Sequence, residues 1–322
     1  MLAVLATTFP FFALVLCGWL AAERGPLPDS AIPGLNGFVL FFALPCLLFR
    51  FGRDTPVLEL LNPALLGVYV VSALLIVFFT VQTTRSPRIG MRDAAFGALV
   101  AAFPNSGFMG VPLIVALLGQ AAAGPVVSTI LADLFITSSL CIALAQADAV
   151  GVTGREAFMR ALKAAGSNPL PWAIALGALV GASGLTLPEP LAKVITMLGD
   201  AASPVALFTI GAVLSRSGRA NRRAGRVTPL RLYLPVAAIK LLLHPALVFA
   251  LGAAVRRMGA PLSAGQLVAL TLVAALPSAS NVSLLAERYG ADNGRVARII
   301  LASTALAFLS FSGLAAVLIE AG

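Results

Sequence analysis

The chain has 322 residues, of which 59% are hydrophobic and 11% are charged, and its mean hydropathy is +0.98. In soluble domains about a quarter of the residues are charged. This composition excludes a soluble globular protein. The formal net charge of +9 would suggest a nucleic-acid partner in a soluble chain, but the positions of the cations explain it otherwise.

Ten apolar stretches follow one another along the chain. A helix needs roughly 20 mainly apolar residues to cross the hydrocarbon core of a bilayer. Seven stretches contain no charged residue: residues 2–22, 31–49, 60–84, 94–118, 164–187, 258–286 and 299–319. Three contain charges or a histidine: residues 125–147, 194–215 and 232–255. The sequence predicts an all-α polytopic membrane protein with ten transmembrane helices.

The basic residues predict the orientation of these spans. Sixteen of the 22 Lys and Arg residues lie in loops that follow odd-numbered spans, and five lie in the even-numbered loops. Because cytoplasmic loops are enriched in Lys and Arg, we expect the odd loops in the cytoplasm and both termini outside. The basic segment 216–231 is then a topogenic loop, so no nucleic-acid partner is expected.

An internal repeat appears when the chain is shifted by 159 residues. The pattern A-x-P-x-x-L-F-x-x-G begins at Ala43 and again at Ala202. Each half holds five spans, an odd number, so the halves must enter the membrane from opposite sides. The sequence predicts two inverted five-helix repeats, residues 1–147 and 170–322, joined by a cytoplasmic linker at 148–169. Inverted repeats are common among secondary transporters.

The fourth and ninth spans contain helix-breaking segments at equivalent places. The fourth reads F-P-N-S-G-F-M-G-V-P from Phe103, and the ninth reads L-P-S-A-S-N-V-S from Leu276. Proline removes a backbone donor and clashes with the preceding turn, and unpaired backbone groups in a membrane must line protein or a water-filled cavity. Prolines that only kink the helices are the alternative, but two matched breaks favour a binding site.

Inversion would bring the two breaks together near the midplane, with helix N-termini presenting unpaired N–H groups. Positive helix ends and neutral amide or hydroxyl donors suit an anion. The candidate substrate-binding residues supply these donors or create the breaks: Asn105, Asn281, Pro104, Pro277, Ser106, Gly107, Ser278, Ser280 and Ser283.

The two proline motifs resemble those of the auxin efflux carrier family, over essentially the whole chain. The matching segments are F-P-N-S-G-F-M-G-V-P-L and L-P-S-A-S-N-V-S-L-L-A-E-R-Y-G. The resemblance implies a fold similar to sodium/bile-acid symporters, with crossed helices 4 and 9, a homodimer and elevator-like motion. The long central hydrophilic loop of the plant exporters is absent, which implies a compact bacterial member of the inner membrane.

Ionisable residues inside spans are expensive and often functional. Asp133 in the fifth span is a candidate for proton coupling, although a static hydrogen-bonded Asp explains it almost as well. Lys240 is a second candidate, and His244 lies one turn further on the same face. An ion pair between Lys240 and Asp133 is one hypothesis. The sequence leaves H+ and Na+ open as coupling ions.

These observations favour a secondary transporter that moves a small organic anion, such as a carboxylate, across the lipid bilayer. An anion channel and a nontransporting membrane sensor remain alternatives. One histidine and three unclustered cysteines offer no constellation for a metal or a catalytic nucleophile. We therefore expect neither an enzyme nor a bound cofactor or metal.

Overall fold

A computed structural model describes residues 2–56, 60–147, 155–156, 159, 163, 166–223 and 228–320. Within these ranges the regular structure is helical. The helices are α1 (Leu2–Glu23), α2 (Ala31–Asp54), α3 (Pro63–Thr84), α4 (Met91–Ala102), α5 (Ser106–Leu118), α6 (Gln120–Gln146), α7 (Pro169–Ser183), α8 (Glu189–Arg223), α9 (Leu234–Arg257), α10 (Ala264–Ala275), α11 (Val282–Arg288) and α12 (Asn293–Glu320).

Several helix ends follow local sequence signals. The side chains of Asn62 and Asn168 cap α3 and α7 by accepting backbone N–H groups, and a proline follows each of them. Asparagine is a strong N-cap, and proline fits the first helical turn because its missing N–H would be unpaired there. Gly184 ends α7 in the left-handed conformation that favours glycine. The chain therefore defines these boundaries locally.

Among the described residues, seven helices are long and apolar enough to cross a membrane: α1, α2, α3, α6, α8, α9 and α12. The other predicted spans contain shorter apolar helices. The predicted spans 94–118 and 258–286 are each interrupted at a proline. The sixth span was predicted at 164–187, but α7 has 15 residues and rises only about 22 Å. The chain is a polytopic membrane protein, and the number of ten transmembrane helices stays a prediction.

Helices α1 and α8 run in the same direction and touch through their backbones. A Cβ atom on Gly18 would overlap the carbonyl oxygen of Phe208, and one on Gly211 would overlap that of Val15. Small residues permit such close approach between membrane helices. Any larger side chain at either glycine would force the pair apart.

Helices α2 and α7 repeat this contact. A Cβ atom on Gly177 would overlap the carbonyl oxygen of Phe49, and one on Gly52 would overlap that of Ile174. Each of these four residues lies 159 residues from its counterpart in the α1–α8 contact, so the offset found in the sequence is also the offset of the packing. We call α1, α2, α7 and α8 the glycine-packed group.

The remaining helices, α3–α6 and α9–α12, contain both proline breaks, and we call them the interrupted group. Their core includes fully buried apolar residues such as Leu99, Leu270 and Phe311. The repeat boundaries 1–147 and 170–322 stay a prediction. Most of the predicted linker 148–169 lies outside the described residues.

Candidate functional site

The first break lies between α4 and α5. Helix α4 ends at Ala102, Phe103 adopts an extended conformation, and the chain resumes at Ser106 with a π-helical turn. Pro104 cannot donate a backbone hydrogen bond. An ordinary proline kink does not need a π-helical turn. Such turns are rare and often occur at functional sites, so the turn at the start of α5 marks this segment as a candidate site.

The second break lies between α10 and α11. Helix α10 ends at Ala275, Pro277 follows, and α11 begins at Val282. Asn281 precedes the first residue of α11, as Asn105 precedes the first residue of α5. The two breaks thus place an asparagine at the start of each second half-helix.

The two breaks are hydrogen-bonded to each other. The Asn105 N–H donates to the Pro277 carbonyl at 2.8 Å, and the Ala279 N–H donates to the Phe103 carbonyl at 3.0 Å. Pro104 and Ser278 thereby form an isolated antiparallel β-bridge. This pairing satisfies backbone groups that have no helical partner, which a buried segment requires. Both spans are interrupted at their prolines, and the two breaks lie side by side, as the paired prolines predicted.

Two of the predicted hydroxyl donors are engaged by the protein itself. The Ser278 hydroxyl donates to the Val100 carbonyl at 2.6 Å and accepts from the Ser303 hydroxyl at 3.2 Å. The Ser283 hydroxyl donates to the Asn293 side-chain oxygen at 2.6 Å. These serines brace the second break, and their protons are not free for a ligand in this arrangement.

Ser106 and Ser280 differ in their surroundings. Ser106 is fully buried, and its hydroxyl makes a long 3.4 Å contact with the Pro104 carbonyl. Ser280 is half-buried and, together with Asn281, lines a third, small cavity that Glu287 and Arg216 also line. Ser106, unlike Ser280, lines a different small cavity, which lies at the first break and is also lined by Gly107.

Four other donors at the crossing have no acceptor among the described residues. The backbone amides of Gly107 and Phe108 have no acceptor within the described part of the chain. The side-chain amides of Asn105 and Asn281 likewise make no hydrogen bond to any described residue, although Asn105 is only 4% exposed. Burying a polar group without a partner is costly. These donors are therefore poised for water or a ligand.

Two adjoining cavities meet at this crossing. A small one of about 30 Å³ is lined by Pro104, Asn105, Gly107 and Asn281. A larger one of about 400 Å³ shares Asn281 with it. No Asp or Glu is among the described residues that line either cavity. With helix N-termini directed at it, this space favours a negative charge.

The larger cavity lies between the two helix groups. The α2 residues Leu40 and Phe41 and the α7 cap Asn168 line one side, and residues of the interrupted group, including Leu134, line the other. A relative movement of the groups would therefore change the shape of this cavity.

Asp133 is fully buried in α6 and is held by two hydroxyl donors. The Tyr69 hydroxyl donates to one carboxylate oxygen at 2.7 Å, and the Thr137 hydroxyl donates to the other at 3.0 Å. Asp133 begins a π-helical turn, Asp133–Thr137. Tyr69 was not identified from the sequence, where its only signal is a polar side chain in an uncharged span.

Lys240 is also fully buried, and its ammonium group is directed at the end of α10. It donates to the Ala274 carbonyl at 2.6 Å and lies 3.2 Å from Nδ1 of His244. An ion pair with Asp133, which the sequence left as one hypothesis, is not formed in this structure, since no Lys240–Asp133 contact within 4.0 Å occurs among the described residues. A cation at the carbonyl end of a helix is favourable, which explains where Lys240 goes instead.

The two parts of this buried cluster meet at Tyr69 and His244, whose ring centroids are 6.1 Å apart. The cluster thus extends from Asp133 to Ala274, which lies three residues before Pro277. A buried carboxylate and a buried ammonium are linked to the second break through a tyrosine and a histidine. Nε2 of His244 is buried and has no partner in the described part of the chain.

Within the described ranges, no group of three His, Cys, Asp or Glu side chains could hold a metal ion. The three cysteines, Cys17, Cys46 and Cys141, are free. Fully closed protein sites for zinc usually need four such ligands.

The long apolar helices indicate a multi-pass membrane protein. The family model described as membrane transport protein, which represents the auxin efflux carriers, matches residues 3–315. The chain belongs to this family, as the proline motifs predicted.

Among its relatives is a protein of Rhizobium meliloti (strain 1021) named "Putative malonate transporter". It is 30% identical over 326 aligned residues, which cover 98% of this chain and 95% of that protein. The "Uncharacterized transporter YfdV" of Escherichia coli (strain K12) is 23% identical over 212 residues, or 64% of this chain and 67% of that protein. The family and these names indicate a transporter rather than an enzyme.

Proposed function

We propose that the protein is a secondary active transporter of a small carboxylate, with its substrate site at the crossing of the two broken helices. The observation that carries this proposal is the hydrogen-bonded pair of breaks. It leaves four donors without an acceptor among the described residues, beside two cavities whose described lining contains no Asp or Glu. Neutral donors stabilise an anion through directed N–H groups and helix ends, and they allow it to leave again.

In this proposal Asn105 and Asn281 bind the carboxylate through their side-chain amides, and the backbone amides of Gly107 and Phe108 add two donors. Pro104 and Pro277 create the breaks. Ser106 completes the wall of the site, and Ser280 lines a neighbouring cavity that shares Asn281 with it. Ser278 and Ser283 hold the shape of the site through their hydrogen bonds to protein groups.

The transport mechanism is alternating access of an elevator type, in which the interrupted group moves against the glycine-packed group. The cavity between the groups supports this assignment. The architecture has ten transmembrane helices in two inverted repeats, as in sodium/bile-acid symporters. The protein acts as a homodimer in the bacterial inner membrane, with both termini outside the cytoplasm. An anion channel is the second candidate.

Proton coupling is assigned to Asp133, with Lys240 as its partner in the buried cluster. A proton taken up or released by Asp133 would change the charge of a cluster that contacts the end of α10, and so would favour one position of the second break. Sodium is the alternative coupling ion, and flux measured in sodium-free buffer separates the two.

Asn105→Ala tests the site. Removing an amide that binds a carboxylate should lower the initial rate of malonate counterflow into proteoliposomes by about 10- to 100-fold, because hydrogen bonds to charged groups are worth about 1.5–3 kcal/mol. Counterflow also separates a carrier from a channel, since a channel does not exchange solute against its gradient.

Gln82→Ala is the matched control, because it removes an exposed amide at the far end of α3. It should leave counterflow unchanged. If Asn105→Ala were folded and exchanged malonate at the wild-type rate, the crossing would not be the substrate site. Wild-type protein that bound malonate without any flux would instead be a sensor.

A further inference from the structure

The larger cavity contains a positive charge that the proposed substrate site does not use. Arg288, the last residue of α11, lines this cavity together with Asn281. It is exposed, and no carboxylate among the described residues pairs with its guanidinium group. Its recorded contact is with the ring of Tyr289, 6.0 Å from the guanidinium carbon to the ring centroid.

Arg288 lies on the same helix face as Asn281. The residues of this segment that line the cavity are Asn281, Leu284, Leu285 and Arg288, the spacing of one face of an α-helix. Seven residues correspond to a rise of about 10 Å. Because side chains in helices point back toward the N-terminus, the long side chain of Arg288 can extend toward Asn281 and shorten this gap.

The lining between these two residues is apolar. Leu284 and Leu285 lie between the amide and the guanidinium, and Phe103 and Leu40 face them across the cavity. A ligand that spans this distance would need polar groups at its two ends and a short hydrocarbon centre. Arginine binds carboxylates through two parallel hydrogen bonds, which makes it a selective partner for such a group.

We propose that Arg288 is the residue that selects the charge of the substrate, by pairing with a second carboxylate while the first is bound at the crossing. This inference rests on the proposed function and deepens it. The donors of the crossing accept any small carboxylate, and Arg288 adds the preference for a dianion. A cation at the C-terminus of α11 would stabilise the helix whatever the substrate, so the test must separate the two roles.

The experiment compares malonate with malonamate, in which an amide replaces one carboxylate at nearly the same size. Each compound competes for labelled malonate uptake into proteoliposomes. Wild-type protein should prefer malonate by about 10- to 100-fold, the range for a charge-assisted hydrogen bond. Arg288→Gln should reduce this preference to less than about threefold, mainly by weakening the binding of malonate.

Arg257→Gln is the matched control, because Arg257 is an exposed cation in the last turn of α9. It removes the same charge from a helix C-terminus and should keep the wild-type preference. Arg288→Met preserves the apolar stem of the side chain and provides a second variant if Arg288→Gln does not fold. Arg288→Lys should recover part of the preference.

Two failures are distinguishable. If wild-type protein and Arg288→Gln prefer malonate equally, or if the wild type has no preference, Arg288 does not select charge, while transport through the crossing stands. If neither compound competes and no carboxylate is exchanged, the proposed function itself fails.

Discussion

The glycine-packed group and the interrupted group use backbone atoms in opposite ways. In the first, glycines bring helix backbones into direct contact, and α1 and α8 continue through their internal prolines, Pro10 and Pro204. In the second, two prolines release backbone groups, and the structure pairs some of them across the crossing. The amides of Gly107 and Phe108 have no acceptor in the part of the chain that the structure describes. Close packing gives a rigid surface, whereas interrupted helices give binding capacity, because unpaired donors in a membrane are costly without a ligand or water.

The buried charges follow the same division. Asp133 and Lys240 are fully buried in the interrupted group, whereas Arg50 and Asp200 of the glycine-packed group are 30% and 64% exposed in their side chains. Ionisable residues inside membrane-spanning segments are costly and usually mark functional sites. We therefore expect substitutions in the first group to change stability, and substitutions in the second to change transport.

The largest effect on stability is expected from Gly177→Val. The new side chain would overlap the Phe49 carbonyl, a backbone atom that cannot rotate away, so α2 and α7 must separate. The cost should reach or exceed about 3 kcal/mol, the upper end of typical overpacking. The melting temperature and the monodisperse fraction in detergent measure it.

Gly313→Val is the control, because a Cβ atom there meets no heavy atom within 4 Å. It changes an equally helical glycine in α12. A Gly177→Val protein as stable as Gly313→Val would mean that the backbone contact between α2 and α7 is not what holds these helices together, and the contrast between the groups would lose its basis.

Asp133→Asn should change coupling rather than folding. The amide can still accept from Tyr69 or Thr137, so the hydrogen-bonded frame is largely kept. It cannot release a proton, so an imposed pH gradient should no longer drive malonate accumulation, whereas malonate exchange continues at a reduced rate. Uptake in sodium-free buffer, with and without the gradient, measures the difference.

A pH gradient that drives Asp133→Asn as strongly as the wild type would remove Asp133 from the coupling mechanism. Tyr69→Phe sharpens the result, since it deletes one donor to the carboxylate and leaves the acid in place. That variant should still couple, with a shifted pH dependence of uptake.

The backbone features of the site follow from the sequence because they depend on residue type. The matched segments around Pro104 and Pro277 predicted the two breaks, whereas single prolines such as Pro10 and Pro204 lie inside continuous helices. The bounds of the shorter helices were less predictable. Hydropathy does not show that α10 begins at Ala264. That boundary is marked by a capping box between Ser263 and Gln266, which the search for uncharged runs did not use.

The partners of polar side chains could not be predicted, because they depend on which helices become neighbours. Ser278 resembles a substrate donor in the sequence, yet Val100 and Ser303 occupy its hydroxyl. The opposite charges of Lys240 and Asp133 suggest an ion pair, but Lys240 donates to the Ala274 carbonyl and Asp133 accepts from the Tyr69 hydroxyl. Sequence patterns identify the residues that must be satisfied, and the tertiary structure decides what satisfies them.

The smallest effect is expected from Asp200→Asn, which also serves as the control for Asp133→Asn. Asp200 accepts a 2.6 Å hydrogen bond from Arg50 and thereby joins α8 to α2. Exposed ion pairs contribute about 0–1 kcal/mol, so the variant should melt within a few degrees of the wild type and retain gradient-driven uptake. A large loss of stability would mean that α2 and α8 depend on this pair as well as on their apolar and glycine contacts. A loss of coupling would be more informative, because it would place a functional acid in the glycine-packed group and contradict the division of roles between the two groups.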